Sequence, residues 1–229
     1  MITSPHNPKL KDLRRLARRR EDGRFVAEGE DLLAAADAAG WLALERYVAA
    51  GSGLAGEEVD PHVLDGVSGL GSGTRAIAVY EQRWTSPAAA PAVVLWGVRD
   101  PGNVGTVLRS ALAFGAACVV VGPGTADPFS PKAVRASMGA VFAVPLARAT
   151  TVDELPGVRI ALDARRGEPL RGPRDSDVSI VIGAERAGLP EDVIAACDRA
   201  AHIPINNESL NAAMAATLAM YELNRFPEA

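Results

Sequence analysis

Short, largely apolar runs punctuate the second half of the chain: Val93 to Trp96, Cys118 to Val121, Arg159 to Leu162 and Ser179 to Ile182. Runs that short, without polar alternation, predict strands covered on both faces. Between them the apolar spacing changes to three and four. Val104, Val107, Leu108, Ala111 and Leu112 fall on one face of a helix over Asn103 to Phe114. Further helices are predicted near Pro131 to Ser137 and Glu191 to Cys197, and a short strand over Val141 to Val144. The last elements are an extended piece at Ile203-Pro204-Ile205, a polar turn, and a helix. In that helix Leu210, Met214, Leu218 and Tyr221 form one stripe, flanked by Ala212, Ala213, Ala215, Ala216 and Ala219. Asn207, Ser209 and Asn211 stand at its start, where side chains cap free N–H groups or face a ligand. Strands alternating with helices predict an α/β architecture: a mostly parallel sheet with helices on both faces.

The first half has a different texture. Residues 8 to 20 read as a short helix with Leu10, Leu13, Leu16 and Ala17 on its apolar face and basic residues elsewhere. Asp31 to Ala39 reads as a helix closed by Gly40. Leu44 to Val48 and Ala76 to Val79 are strand-like, with Gly- and Ser-rich turns between them. The pattern is a small α/β unit. Ser86-Pro87-Ala88-Ala89-Ala90-Pro91 has no periodicity and reads as a linker. The division is therefore residues 1–86, a linker at 87–91, and 92–229.

Composition bounds the possibilities. With 229 residues and 48% hydrophobic positions, the chain suffices for one large or two small cores. Ala111 to Val121, the longest apolar candidate, is too short for a membrane span and contains Gly115. Met1 to Pro5 lacks the apolar centre of a secretion signal. Cys118 and Cys197 sit in apolar surroundings, as packed thiols in a reducing cytoplasm do. Neither HExxH nor CxxC occurs, so no metal site is expected. A net charge of −4 argues against a uniformly basic nucleic-acid binder. The distribution changes that picture: Lys9, Lys11, Arg14, Arg15, Arg18, Arg19, Arg20 and Arg24 crowd the start of the chain, a local surface suited to RNA phosphates.

Three motifs carry the chemistry. The first runs from Asn103-Val104-Gly105 through Arg109 to Ala113-Phe114-Gly115. The second is Ile182-Gly183-Ala184-Glu185-Arg186-Ala187-Gly188-Leu189-Pro190. The third is Ile203-Pro204-Ile205-Asn206-Asn207-Glu208-Ser209-Leu210-Asn211. In this order they resemble the signatures of the SpoU-type (TrmH-like) RNA ribose 2′-O-methyltransferases of the SPOUT superfamily. Arg24 to Glu30 and Gly73 to Val79 are similar to the substrate-binding domain that precedes the catalytic domain in many members, itself like a small RNA-binding ribosomal protein.

The resemblance implies a catalytic domain with a deep trefoil knot, working as a homodimer whose site is completed across the interface. It implies S-adenosylmethionine as cofactor, held at Gly183, Ile203 and Leu210, and RNA as partner, ribosomal before transfer RNA. Arg109 becomes the catalytic arginine, with Asn103, Glu185, Ser209 and Asn211 positioning it and the ribose. Lys9, Lys11, Arg14, Arg15, Arg18, Arg19 and Arg135 become RNA contacts, and Ser137 a further candidate. Two departures stand out: the third motif is a residue or two short before Ser209, and Ala-Ala-Met follows Asn211 where Val-Ser or Val-Ala is common. An RNA-binding protein that kept the fold without catalysis is the alternative. A dinucleotide-dependent oxidoreductase is disfavoured, because Gly122-Pro123-Gly124 lacks the third glycine of that fingerprint.

Overall fold

The computed structural model describes residues 1–18, 23–69, 73–174, 176–206 and 209–224. Its first sheet is built from β1 (Arg24–Glu28), β2 (Glu45–Ala49), β3 (Glu57–Val59) and β4 (Ala76–Glu81) in the order β1-β4-β2-β3. The pairs β1–β4 and β4–β2 are antiparallel and β2–β3 is parallel. Alternation sorts the side chains. Val26, Ile77 and Val79 face helix α1 (Pro8–Arg18) through Leu10, Leu13 and Leu16. Phe25, Ala27, Ala78 and Tyr80 face the other way, with Leu32, Leu33 and Ala36 of α2 (Glu30–Ala38). A short helix α3 (Pro61–Asp65) is capped by Asp60, whose carboxylate accepts from His62 N and Val63 N. The spacing gave no sign of β3 or α3, each too short to show a period.

Among the described residues the second sheet has seven strands, all parallel, in the order β7-β6-β5-β10-β8-β11-β9. They are β5 (Ala92–Leu95), β6 (Cys118–Val121), β7 (Leu146–Arg148), β8 (Val158–Leu162), β9 (Glu168–Pro169), β10 (Val178–Ile182) and β11 (Arg199–His202). Helices α4 (Pro101–Ala113), α5 (Pro131–Ala136), α6 (Ala140–Ala143) and α8 (Ala212–Leu223) contribute to the core on one face. The turn Val152–Glu154 and α7 (Glu191–Ala196) cover the other.

Four expectations are corrected. Val141 to Val144 is not a strand: Ala140–Ala143 forms α6, and the strand is β7, a few residues on. A four-residue apolar run has no readable period, and burial on an aromatic cluster decides its shape. The final strand is Arg199–His202 rather than Ile203 to Ile205, because register with β8 pairs Arg199 to Ala201 with Ile160 to Leu162. Leu112 is exposed rather than buried, and Gly105 takes a buried place on α4. In α8 the alanines are the core face. Ala212, Ala213, Ala216 and Ala219 are buried, whereas Met214 (57% exposed), Leu218 (42%) and Tyr221 (54%) look outward.

Residues 1–86 and 92–229 share one core. Phe25 lies 4.7 Å from Phe129 between ring centroids, Trp41 and Tyr80 pack on Phe142, and Trp41 Nε1 donates to the Phe142 carbonyl at 2.8 Å. Each such aromatic stabilises the junction by about 1.5–3 kcal/mol. The stretch after β8 also crosses the C-terminal segment closely. Leu170 N donates to His202 O (2.7 Å), Gly172 N to the Glu222 carboxylate (2.9 Å), and Arg174 N to Leu223 O (2.9 Å). A Cβ on Gly172 would overlap the Glu222 carbonyl, so only glycine passes there.

Candidate functional site

Parallel sheets bind ligands beyond the carboxyl ends of their strands. Here β8, β10 and β11 end side by side at Leu162, Ile182 and His202. Beyond them opens a cavity of about 520 Å3, walled by the loops 163–165 and 183–188 and by Ile203, Ile205, Ser209 and Leu210. That size suits a cofactor-sized molecule.

The loop after β10 is tightly folded. Ala184 N donates to Gly188 O (3.2 Å) and Gly188 N to Ala184 O (2.9 Å). Gly183 lies under this turn, where a Cβ would overlap Gly188. The glycines of the second motif thus shape the loop and leave Glu185 at the cavity wall.

Three side chains join the motifs. Asn103, in the first turn of α4, donates from Nδ2 to Glu185 Oε1. Its Oδ1 accepts from Asn211 Nδ2 at 3.1 Å. Asn211 Oδ1 accepts in turn from Ala213 N (2.9 Å) and Met214 N (3.3 Å), capping α8. The run Glu185–Asn103–Asn211 therefore uses the carboxamides in both directions and fixes the starts of α4 and α8 against the loop. Lower down, Ser110 Oγ and Thr217 Oγ1 sit 2.7 Å apart across the same pair of helices. The start of α4 is set by Asp100, which accepts from Gly102 N (2.9 Å) with Pro101 in the first turn. The Lys132 ammonium beside Asp100 holds its carboxyl below the usual range.

Of the expected site residues, Gly183, Ile203, Leu210, Glu185 and Ser209 all line the cavity. Asn103 and Asn211 reach it through Glu185. Arg109 does not line it. It lies six residues beyond Asn103 on α4, about 9 Å along the axis. It is exposed, and among the described residues it has no ion-pair or hydrogen-bond partner. Asn207 falls outside the described residues. The wall at Asp163, Ala164 and Arg165 carried no motif; its one signal was its place after a buried strand.

The basic residues of α1 are partly engaged. Lys9 pairs with Glu57 (2.6 Å) and Arg15 with Asp12 (2.7 Å). Arg14 donates to Pro5 O (2.7 Å) and Gly66 O (3.4 Å). Lys11 is exposed. Arg19, Arg20 and the side chain of Arg18 lie outside the described residues. Arg135 lines a second cleft, opposite the first turn of α2. Ser137 is fully buried and donates to Val134 O at 2.7 Å, so it is a packing residue and not an RNA contact. Among the described residues no group of His, Cys, Asp and Glu is arranged to hold a metal ion, and no helix is long and apolar enough to cross a membrane.

Residues 90–221 match the model of the SpoU rRNA Methylase family. Over 243 aligned residues the chain is 30% identical to the 23S rRNA (guanosine(2553)-2′-O)-methyltransferase RlmP of Bacillus subtilis, covering 97% of this chain and 98% of that one. The solved structure of an AdoMet-bound rRNA methyltransferase from Sinorhizobium meliloti superposes with a TM-score of 0.86 at 32% identity, over 97% and 96% of the two chains. The SpoU methyltransferase AviRb from Streptomyces viridochromogenes gives 0.81 at 25% identity, over 95% and 96%.

Proposed function

The chain belongs to the SpoU rRNA methylase family, and on that premise we propose that it transfers a methyl group from S-adenosylmethionine to a ribose 2′-hydroxyl of RNA, ribosomal in preference to transfer RNA. The observation that carries this reading is the Glu185–Asn103–Asn211 chain of hydrogen bonds at the edge of the cavity beyond β10.

The cavity fits the cofactor. Leu162, Ile182, Ile203 and Leu210 give apolar walls for an adenine, and the carboxylates of Asp163 and Glu185 suit a cation. Gly183, Ile203 and Leu210 would hold it, largely through main-chain groups. When bound, it supplies an electrophilic methyl on a sulfonium sulfur. The chain's own task is to hold the 2′-oxygen in line and to favour negative charge there as its proton passes to solvent water. Glu185, Ser209 and Asn211 orient the ribose. Asn103 fixes Glu185. A guanidinium does not give up its proton, so Arg109 acts as a donor to the emerging alkoxide or the adjacent phosphate and not as a base.

Arg109 stands outside the cavity of its own chain, and a homodimer accounts for that. Arg109 and Leu112 lie three apart on the exposed side of α4, and α8, packed beside α4 through Ser110–Thr217 and Phe114–Tyr221, turns Met214, Leu218 and Tyr221 outward. Pairing two copies through this apolar face carries each Arg109 to the other's site. The crossing of the stretch 170–174 over β11 and α8 supports the trefoil knot. Residues 1–86 serve as the RNA-binding unit and 92–229 as the catalytic domain, joined at 87–91. On α1, RNA phosphates compete with Asp12 and Glu57 for Arg15 and Lys9. Exposed pairs of that kind contribute little, so they yield readily. Cytoplasmic ribosomal RNA is the expected substrate pool.

The test is transfer of radiolabelled methyl to unmodified ribosomal and transfer RNA in separate reactions, with 2′-O-methyl mapping. Label on ribose in the ribosomal fraction is the expected result. Label on a base, or neither transfer nor cofactor binding, overturns it; the second outcome favours a non-catalytic RNA-binding protein.

A further inference from the structure

A second cavity, of about 510 Å3, opens where the β1–α2 junction faces the α5–α6 junction. One side is the end of β1 and the first turn of α2, and the other is Arg135 and Met138, where α5 passes into α6. Two of its acidic groups are already used. Glu28 is buried and accepts from Ser68 Oγ and Gly69 N, each at 3.1 Å. Glu30 pairs with Arg75 at 3.0 Å. Asp31 and Arg135 are different. Among the described residues neither side chain has a hydrogen-bond or ion-pair partner, and they do not pair with each other across the cavity they both line.

Opposite charges held apart across one cavity define a ligand with acceptors on one edge and donors on another. A phosphate is disfavoured, because Glu28, Glu30 and Asp31 all line the space. A flat base is favoured. Met138 is 62% exposed and Leu32 adds apolar surface, so a ring face finds contact. Guanine alone among the RNA bases carries two acceptors, O6 and N7, beside two donor groups, N1–H and the N2 amine. Arginine reads the first edge bidentately, and a carboxylate accepts from the second. We propose that this cleft holds an unpaired guanine of the RNA, at a position other than the methylated nucleotide. It thereby selects which stretch of RNA is presented to the cavity beyond β10. The ligand class rests on the RNA-methyltransferase reading; the choice of base rests on Asp31 and Arg135.

The experiment is fluorescence anisotropy of the full chain with labelled oligoadenosine decamers. Each has one central guanosine, inosine (no N2 amine), 7-deazaguanosine (no N7) or adenosine. The wild type is expected to bind the guanosine strand about tenfold more tightly than the adenosine strand. Asp31→Asn should erase the preference for guanosine over inosine, and Arg135→Gln the preference for guanosine over 7-deazaguanosine. Neither side chain is buried in the core, and circular dichroism verifies that both variants fold. Equal binding of all four strands by the wild type, no binding at all, or preferences that survive in the variants overturns the proposal. S-adenosylmethionine binding is measured separately by calorimetry, so failure of the methyltransferase reading is seen on its own.

Discussion

Removing the Asn103 carboxamide tests the site at its joint. It donates to the Glu185 carboxylate and accepts from Asn211. A hydrogen bond to a charged partner contributes about 1.5–3 kcal/mol and a neutral one about 1 kcal/mol. Asn103 is only half-buried and water screens part of this, so Asn103→Ala should cost the transition state about 2–3 kcal/mol. That is roughly a 30- to 150-fold drop in kcat at saturating RNA and cofactor, with little change in cofactor affinity. The assay is single-turnover methyl transfer, run as a double-mutant cycle with Glu185→Gln. If the two side chains act as a unit, the double variant is scarcely worse than the poorer single one, and the coupling exceeds about 1 kcal/mol. Asn211→Ala is the internal control. It loses the same contact and also the α8 cap, worth about 1 kcal/mol, so it should melt about 2–4 °C below Asn103→Ala. Effects of Asn103→Ala and Glu185→Gln that simply add would refute the reasoning, because the contact would then position nothing.

Arg109→Ala should nearly abolish turnover while calorimetry still detects cofactor binding; undiminished turnover removes Arg109 from the mechanism. Mixing Arg109→Ala with Asn103→Ala protein should restore part of the activity if the arginine acts across a dimer. Leu218→Asp puts a charge on the outward face of α8, and sedimentation equilibrium should then report the 23.9 kDa chain alone rather than a dimer of it. A wild type that sediments as a monomer defeats that expectation outright. Gly183→Ala forces the turn at Gly188 to shift, and calorimetry should show cofactor affinity at least about tenfold weaker; native affinity would mean the loop does not shape the pocket.

The parallel sheet was legible because its central strands are buried on both faces and write themselves as unbroken apolar runs. Cys118–Val121 matched to the residue, and β5, β8 and β10 within one. The cavity residues of the second and third motifs were legible through resemblance, and Gly183, Glu185, Ser209 and Leu210 do meet. What escaped was decided by packing partners distant in sequence. On α8 the larger side chains suggested a core stripe, yet the close approach of α4 selects the alanines and turns Met214 and Leu218 outward. Phe142 belongs to a helix because Trp41, a hundred residues earlier, packs against it. Periodicity sets Arg109 off the buried stripe of α4, and it is exposed there, but a helical wheel gives direction and not the neighbour it points to.

The aromatic seam at Phe25, Trp41, Tyr80, Phe129 and Phe142 bears on how such enzymes are re-engineered. The Pro/Ala segment at 86–91 invites treatment as a cut site, with residues 1–86 exchanged to redirect the enzyme to another RNA. A graft there would bring a foreign surface against Phe129 and Phe142 and would strip the Trp41 indole from the Phe142 carbonyl. Residues on both sides of 87–91 pack into one cluster, so a graft keeps this packing only if both halves of the seam are transplanted together.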